Sequence, residues 1–99
     1  MQMSNLYTTK TGFIKVEAEV ENNVILEIKI SGSFSIKPAD ALSLIEKHLR
    51  GVELEQKFVA NAVNIFYILG VETPDLAKED FINAIMGIKA PEGKKAQSE

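Results

Sequence analysis

Residues 13–21 read FIKVEAEVE, and apolar and charged side chains alternate along this stretch. A period of two residues is the geometry of a β-strand, in which successive side chains point to opposite faces of the sheet. The segment therefore predicts a half-buried strand with one apolar face. The apolar side chains on that face are Ile14, Val16, Ala18 and Val20.

Residues 24–31 repeat the pattern, and Asn22-Asn23 between the two stretches predicts a hairpin. A loop of only the two asparagines would pair Val20 with Ile25 and mix apolar with charged side chains. A three-residue loop, 21–23, pairs Val20 with Val24, so the buried face favours it, with Asn23 left-handed where glycine is usual. The inward side chains of the second strand are then Val24, Leu26, Ile28 and Ile30.

Three helices are predicted after the hairpin. The first starts at Pro38, whose missing N–H costs nothing in a first turn, and ends before Gly51, a left-handed cap. The second spans about 53–69 and the third about 78–88. The predicted inward side chains are Ala41, Leu42, Leu44, Ile45 and Leu49 in the first helix, Phe58, Ala62, Ile65, Phe66 and Leu69 in the second, and Phe81, Ala84, Ile85 and Ile88 in the third.

The end of the second predicted helix, residues 65–69, is apolar on every side. A helix at a protein surface normally keeps one polar face. This end is therefore predicted to be either deeply buried or covered by a partner.

The order of elements predicts an α+β fold. A small antiparallel sheet, formed by the hairpin with or without a third short strand, is followed by three helices packed on one face. One domain is expected over 1–99, with 10–88 as its ordered part. Residues 1–12 are predicted to lead loosely into the fold, and the polar residues 89–99 to form a frayed tail.

Composition excludes several classes of function. The net charge is −3 without a basic stripe, which argues against nucleic acid as a partner. With no cysteine, disulfides, thiolate chemistry and iron–sulfur ligation are impossible. The longest apolar run, 65–69, is far short of the roughly 20 residues that cross a membrane, and no secretory signal is visible. We expect a cytoplasmic protein with no membrane partner.

No catalytic constellation is visible in the residues. His48 is the only histidine and is interpreted as a structural helix residue. The serines lack an adjacent base, the acidic pairs fit solvated helix positions, and phosphate-binding glycine motifs are absent. The residues alone predict a small non-catalytic module without a metal site. The side chains considered and set aside are Ser31, Ser33, Ser35, Asp40, Glu53, Glu55, Glu79 and Asp80.

Residues 10–16 read KTGFIKV, residues 21–25 read ENNVI, and residues 28–34 read IKISGSF. In this order they resemble the "GGLIRV" opening, the acidic-glycine turn and the "I-SGDFF" strand exit of the C-terminal domain of lipoate–protein ligases. Pro38 and the ending IEKHLRG, 45–51, resemble the helix that follows there, so the likeness covers about 10–57. Ser33 stands where that family has aspartate and Asn23 where it has glycine.

The resemblance implies a function for the chain. In that family a large domain holds the active site, which forms lipoyl-AMP from lipoate and ATP with Mg²⁺ and passes the lipoyl group to an acceptor-domain lysine. The small domain packs against it, supplies no catalytic side chain and serves chiefly the adenylation step. The two parts are separate chains in some archaea. The resemblance therefore implies an accessory subunit in a heterodimer with the catalytic large subunit, meeting the acceptor domain indirectly and binding no cofactor by itself.

Two surfaces are predicted to contact the large subunit. One is the strand-exit loop of Gly32, Ser33 and Phe34, where glycine allows close approach and phenylalanine can anchor the contact. The other is the end of the second helix, at Phe66, Tyr67 and Ile68, because aromatic anchors often dominate interfaces. Phe34 and Phe66 fit a place in the core equally well, and both alternatives stay open at this point.

Other interpretations fit the same pattern. The order of elements also resembles the iron–sulfur scaffold and sulfur-acceptor fold, but those proteins carry cysteine in the loop occupied here by residues 31–34. A free-standing regulatory or small-ligand-binding module would show an internal apolar pocket and stable homodimers. A small enzyme with an unfamiliar site would turn over a substrate without any partner.

Overall fold

The computed structural model describes residues 1–90 and confirms the α+β fold. Three antiparallel strands lie in the order β1-β2-β3, and the helices pack against one face of this sheet. The likeness to the iron–sulfur scaffold fold stays a prediction. The elements are β1 (Gln2–Thr8), β2 (Phe13–Glu21), β3 (Val24–Gly32), α1 (Ala41–Leu49), α2 (Gln56–Ile68) and α3 (Lys78–Met86).

Strand β1 corrects the prediction that residues 1–12 lead loosely into the fold. It pairs along its whole length with β2, from Gln2 opposite Glu19 to Thr8 opposite Phe13. The hydropathy pattern did not predict β1, because two of the side chains that it points toward the core, those of Asn5 and Tyr7, are polar. Asn5 Nδ2 donates to the carbonyl of Ala84 at 2.9 Å, and the Tyr7 hydroxyl donates to Asp80 at 3.3 Å.

The hairpin between β2 and β3 has a two-residue turn, so the predicted three-residue loop was wrong. Asn22 and Asn23 both have positive φ, 52° and 65°, which is typical of the tight type I′ turn. Val20 lies opposite Ile25, and a register shift follows at Glu19. Leu26 is the extra residue of this bulge, and it points to solvent while Ile25 is buried. The bulge, and not a longer loop, therefore keeps the apolar side chains of β2 and β3 on the same face.

Hydrogen bonds cover part of each edge of the sheet. On the β3 edge, Ile30 N–H donates to Glu46 Oε2 at 2.7 Å, and Ile25 N–H donates to the carbonyl of Val52 at 2.9 Å. On the β1 edge, Ser4 and Lys89 exchange two backbone hydrogen bonds. Lys89 therefore belongs to the fold and not to the predicted tail. Residues 91–99 of that tail lie outside the described residues.

Helix α1 begins at Ala41, so the predicted start at Pro38 was wrong. Residues 38–41 form a separate tight turn, in which Ala41 N–H donates to the Pro38 carbonyl at 2.9 Å. Gly51 has the predicted positive φ, +85°, but it does not cap the helix, because its N–H donates to the carbonyl of Ile25 in β3 at 2.6 Å. It lies in a tight turn after α1 instead, in which Val52 N–H donates to the Leu49 carbonyl at 3.1 Å. Ala41, Ile45 and Leu49 are buried as expected, Leu42 is half-buried, and Leu44 is exposed.

Helix α2 begins at Gln56, later than predicted, because Glu53 forms an isolated β-bridge with Val24. Its inward face is also rotated from the predicted one. Ala62 and Phe66 are buried as expected, but the other buried positions are Val59 and Val63. Both sides of this helix are apolar, so periodicity alone could not choose between them. The predicted inward residues that are in fact exposed are Phe58, Ile65 and Leu69.

Helix α3 closes the core against β1, β2 and α2. All four of its predicted inward side chains are buried, including Ile88 just past its end. The core runs continuously from the inner face of the sheet to all three helices. Its largest fully buried side chains are Ile14, Val16, Ile25, Leu49, Val59, Val63 and Ile85.

Candidate partner interface

The two surfaces predicted to contact a partner lie at the same end of the molecule. Lys37, after the strand-exit loop, and Glu72, after α2, exchange two backbone hydrogen bonds of 2.9 Å. Asp75 strengthens this connection, because its Oδ2 accepts from Ser35 N–H at 3.2 Å and its carbonyl accepts from the Thr11 hydroxyl at 3.1 Å. The strand exit, the β1–β2 turn and the α2–α3 loop thus form one end of the fold.

The strand-exit loop is fastened to the start of β2. Phe13 N–H donates to Ser33 Oγ at 3.0 Å, and Ser33 N–H donates to the Phe13 carbonyl at 3.1 Å. A Cβ at Gly32 would overlap the Phe13 carbonyl oxygen and lie 2.8 Å from the Phe34 ring. The close approach that glycine allows here is therefore an approach to the chain's own sheet.

The two phenylalanines predicted as anchors both pack inside the protein. Phe34 is half-buried, and its ring meets Phe81 edge-on with centroids 5.2 Å apart. Phe66 is only 9% exposed and is part of the core, with His48 edge-on to it at 5.2 Å. Their packing explains their place in the fold, and a role of Phe34 in partner contact stays a prediction.

Tyr67 is held by its hydroxyl. The oxygen lies 2.6 Å from Oγ1 of the buried Thr73, which in turn donates to the carbonyl of Leu76 at 3.0 Å. Burial raises the pKa of the Tyr67 phenol above its ordinary value of 10.0. The Tyr67 side chain is therefore neutral at physiological pH, and its hydrogen bond to Thr73 joins α2 to the loop before α3.

Ile68, by contrast, is 80% exposed, and its neighbour Leu69 is 74% exposed. These two lie at the end of a row of solvent-facing side chains that runs the length of α2. We call this row the outer α2 strip. It consists of Phe58, Asn61, Ile65, Ile68 and Leu69.

Sequence reasoning identified only the last turn of the outer α2 strip. Periodicity assigned Phe58 and Ile65 to the core and gave no role to Asn61. A usable signal was present, because no charged residue occurs between Lys57 and Glu72. Lys57 is exposed in the first turn of α2, but the rest of the exposed face lacks charge, which is unusual for a surface that meets only water.

The residues considered for catalysis are not brought together. His48 lies at the edge of a shallow open groove with Gly51, Val52 and Phe58. Asp80 Oδ2 accepts from the Ala77 N–H at 3.0 Å, which is the bond of a helix cap. Within residues 1–90, no group of three or more histidine or carboxylate side chains is placed to hold a metal ion. In the same part of the chain, no helix has the length and apolar character needed to cross a membrane.

Comparison with known proteins gives this fold a family. A family model described as the bacterial lipoate protein ligase C-terminus matches residues 1–85. The chain belongs to the lipoate protein ligase C-terminal family. The resemblance drawn from residues 10–57 is thereby confirmed and extended over β1 and most of α3.

Individual members of the lipoate ligase family agree with this assignment. The chain is 36% identical over 85 residues to lipoate-protein ligase A subunit 2 of Thermoplasma acidophilum, covering 86% of this chain and 88% of that protein. A solved structure of an archaeal lipoylation system from the same organism, a bi-partite lipoate protein ligase and its E2 lipoyl domain, contains a chain that superposes with a TM-score of 0.80. That match has 36% identity and covers 86% of this chain and 94% of the other.

Proposed function

We propose that this chain is the accessory subunit of a two-component lipoate–protein ligase. It binds the catalytic large subunit and enables that subunit to form lipoyl-AMP from lipoate and ATP, before the lipoyl group passes to an acceptor-domain lysine. The observation that carries the proposal is the 36% identity, over 85 residues, to a protein named as the second subunit of such a ligase.

The described residues support a role through binding and not through reactive groups. Several polar side chains at the loop end of the fold are engaged in hydrogen bonds that hold the loops together, such as Ser33 with Phe13 and Tyr67 with Thr73. A rigid subunit of this kind can order a loop of its partner and exclude water around the reacting phosphate. Such positioning contributes several kcal/mol to a reaction in favourable cases.

Lipoate-dependent exchange of pyrophosphate into ATP tests the proposal, because it reports adenylation without acyl transfer. We expect no exchange with this chain alone, little with the large subunit alone, and clear exchange with the mixture. Transfer from preformed lipoyl-AMP to the acceptor domain serves as the control, and it should depend much less on this chain. Full exchange by the large subunit alone, or none by the mixture, would contradict the proposal.

A free-standing regulatory or ligand-binding module was the alternative from the sequence. Its expected sign is an enclosed apolar pocket. The grooves that the described residues form, such as the one beside His48 and Phe58, are open to solvent, and the interior is filled by the core. No specific feature of residues 1–90 favours this alternative over an accessory subunit.

A further inference from the structure

The outer α2 strip is arranged as a continuous apolar surface. At about 100° of rotation per residue, positions 58, 61, 65, 68 and 69 fall within roughly a 100° sector of the helix. Apart from Asn61, every side chain in this sector is hydrophobic and at least 36% exposed. The core lies on a neighbouring sector of the same helix, at Val59, Val63 and Phe66. Helix α2 thus has one apolar face in the core and a second one in solvent.

The outer face of the sheet offers a direct contrast. Glu17 lies opposite Lys29 across the β2–β3 ladder, and Lys15 Nζ lies 3.6 Å from Glu17 Oε2. Charged residues are depleted at the centres of protein interfaces, where they would lose their hydration. The sheet face therefore places charged residues beside its exposed apolar side chains, such as Leu6 opposite Lys15, whereas the outer α2 strip has no charged residue from Asn61 to Leu69.

The charge distribution along the strip also restricts its partner. A cation lies only at its start, where Lys57 Nζ is 5.1 Å from the centre of the Phe58 ring, and residues 61–69 carry no charge. Along 61–69 a phosphate group, a nucleic acid or an acidic domain would gain no electrostatic attraction, so burial against another apolar surface is favoured there. Permanent interfaces between subunits are more hydrophobic than transient ones, and the proposed function gives this chain one such partner, the large subunit. We infer that the outer α2 strip is the surface that docks against an apolar patch of the catalytic large subunit, an inference that rests on the proposed function.

The docking residues inferred here overlap in part with those expected from the sequence, because Ile68 belongs to both sets. Phe66 lies in the core, and a partner contact of the strand-exit loop stays a separate prediction. Ile68 and Leu69 supply the main contact of the strip, because they are its most exposed large apolar side chains. Phe58 and Ile65 extend the contact toward the start of the helix.

The test is binding of the purified large subunit of the same organism's ligase, measured by isothermal titration calorimetry. The double variant Ile68→Glu/Leu69→Glu should raise the Kd at least about tenfold, because each glutamate would have to lose its hydration in the contact. Leu6→Glu is the matched control. Leu6 is 61% exposed on the outer sheet face opposite Lys15, so this variant should change the Kd less than about threefold. Circular dichroism and thermal unfolding verify that each variant is folded, and Ile68→Ser/Leu69→Ser repeats the test without added charge.

Each outcome separates the inference from the proposed function. If the wild-type chain binds the large subunit and both double variants bind equally well, the strip is not the docking surface and the proposed function stands. If the wild-type chain does not bind at all, the proposed function fails. If the isolated chain is a dimer by light scattering and the double variant is a monomer with unchanged affinity for the large subunit, the strip serves a second copy of this chain and the inference is overturned.

Discussion

The backbone at Gly32 has a φ of +156° and passes directly over the Phe13 carbonyl. Ser33 then bonds the same residue through both its amide and its hydroxyl. A partner contact of this loop, in which serine replaces the aspartate of the ligase family, stays a prediction. At the scale of single residues, the contacts assign the loop a task inside the fold, which is to end β3 against the start of β2.

Substitution of Gly32 tests that assignment. Gly32→Ala should lower the free energy of unfolding by about 2 kcal/mol or more, because the new Cβ overlaps the Phe13 carbonyl in addition to straining φ. Gly51→Ala is the matched control, since Gly51 has a φ of +85° and a methyl group added there would meet no other atom within 4 Å. It should cost only about 1 kcal/mol. Chemical denaturation of both variants measures the difference. Equal losses in the free energy of unfolding would mean that the Phe13 carbonyl can move away from the new methyl group at no cost.

At the scale of elements, the sequence predicted the strands and helices that have one clearly apolar side and one clearly polar side. β2 and α3 were anticipated with their buried faces, because each has one apolar side and one polar side. β1 was missed, because Asn5 and Tyr7 point inward and are satisfied by bonds to α3 that only the tertiary fold provides. The face of α2 was misjudged because both of its sides are apolar, and the exposed side became the candidate interface.

The hairpin register was misjudged for another reason. A two-residue loop without a bulge would place the apolar residues of β2 and β3 on opposite faces, and the sequence therefore predicted a longer loop. The extra residue Leu26 in β3 brings the apolar residues back to the same face equally well. A bulge leaves no distinct mark in the sequence, whereas a pair of asparagines is a known mark of a type I′ turn. Local turn chemistry was the better guide to this loop than the alternation of the strands.

The two-residue turn makes a prediction about its second asparagine. Asn23→Gly should raise the free energy of unfolding by about 0.5 kcal/mol, because glycine adopts positive φ at lower cost and is favoured at this position of a type I′ turn. The hydrogen bond lost, from Asn23 Nδ2 to the Leu54 carbonyl, is long at 3.4 Å. Asn22→Ala is the opposing control and should lower stability by about 1 kcal/mol. A lower melting temperature for Asn23→Gly would contradict this description of the turn.

At the scale of the whole molecule, folding and docking draw on different residues of the same helix. Val59, Val63 and Phe66 of α2 hold the core together, whereas Ile68 and Leu69 contribute little to it because they are exposed. A family member that acts by binding needs this separation. Its docking surface can then remain apolar without the fold depending on the partner for stability.

This separation predicts opposite effects for two kinds of variant. Ile85→Val removes a methyl group from a fully buried side chain of α3, so it should lower the free energy of unfolding by about 1 kcal/mol and the melting temperature by about 5 °C. Well below that temperature, its Kd for the large subunit and its support of pyrophosphate exchange should equal those of the wild type. Ile68→Glu/Leu69→Glu should show the reverse, with normal melting and weak exchange at low subunit concentration that recovers as the concentration is raised. If pyrophosphate exchange instead decreased in step with the melting temperature in both variants, the stability of the fold, and not a docking surface, would limit activity.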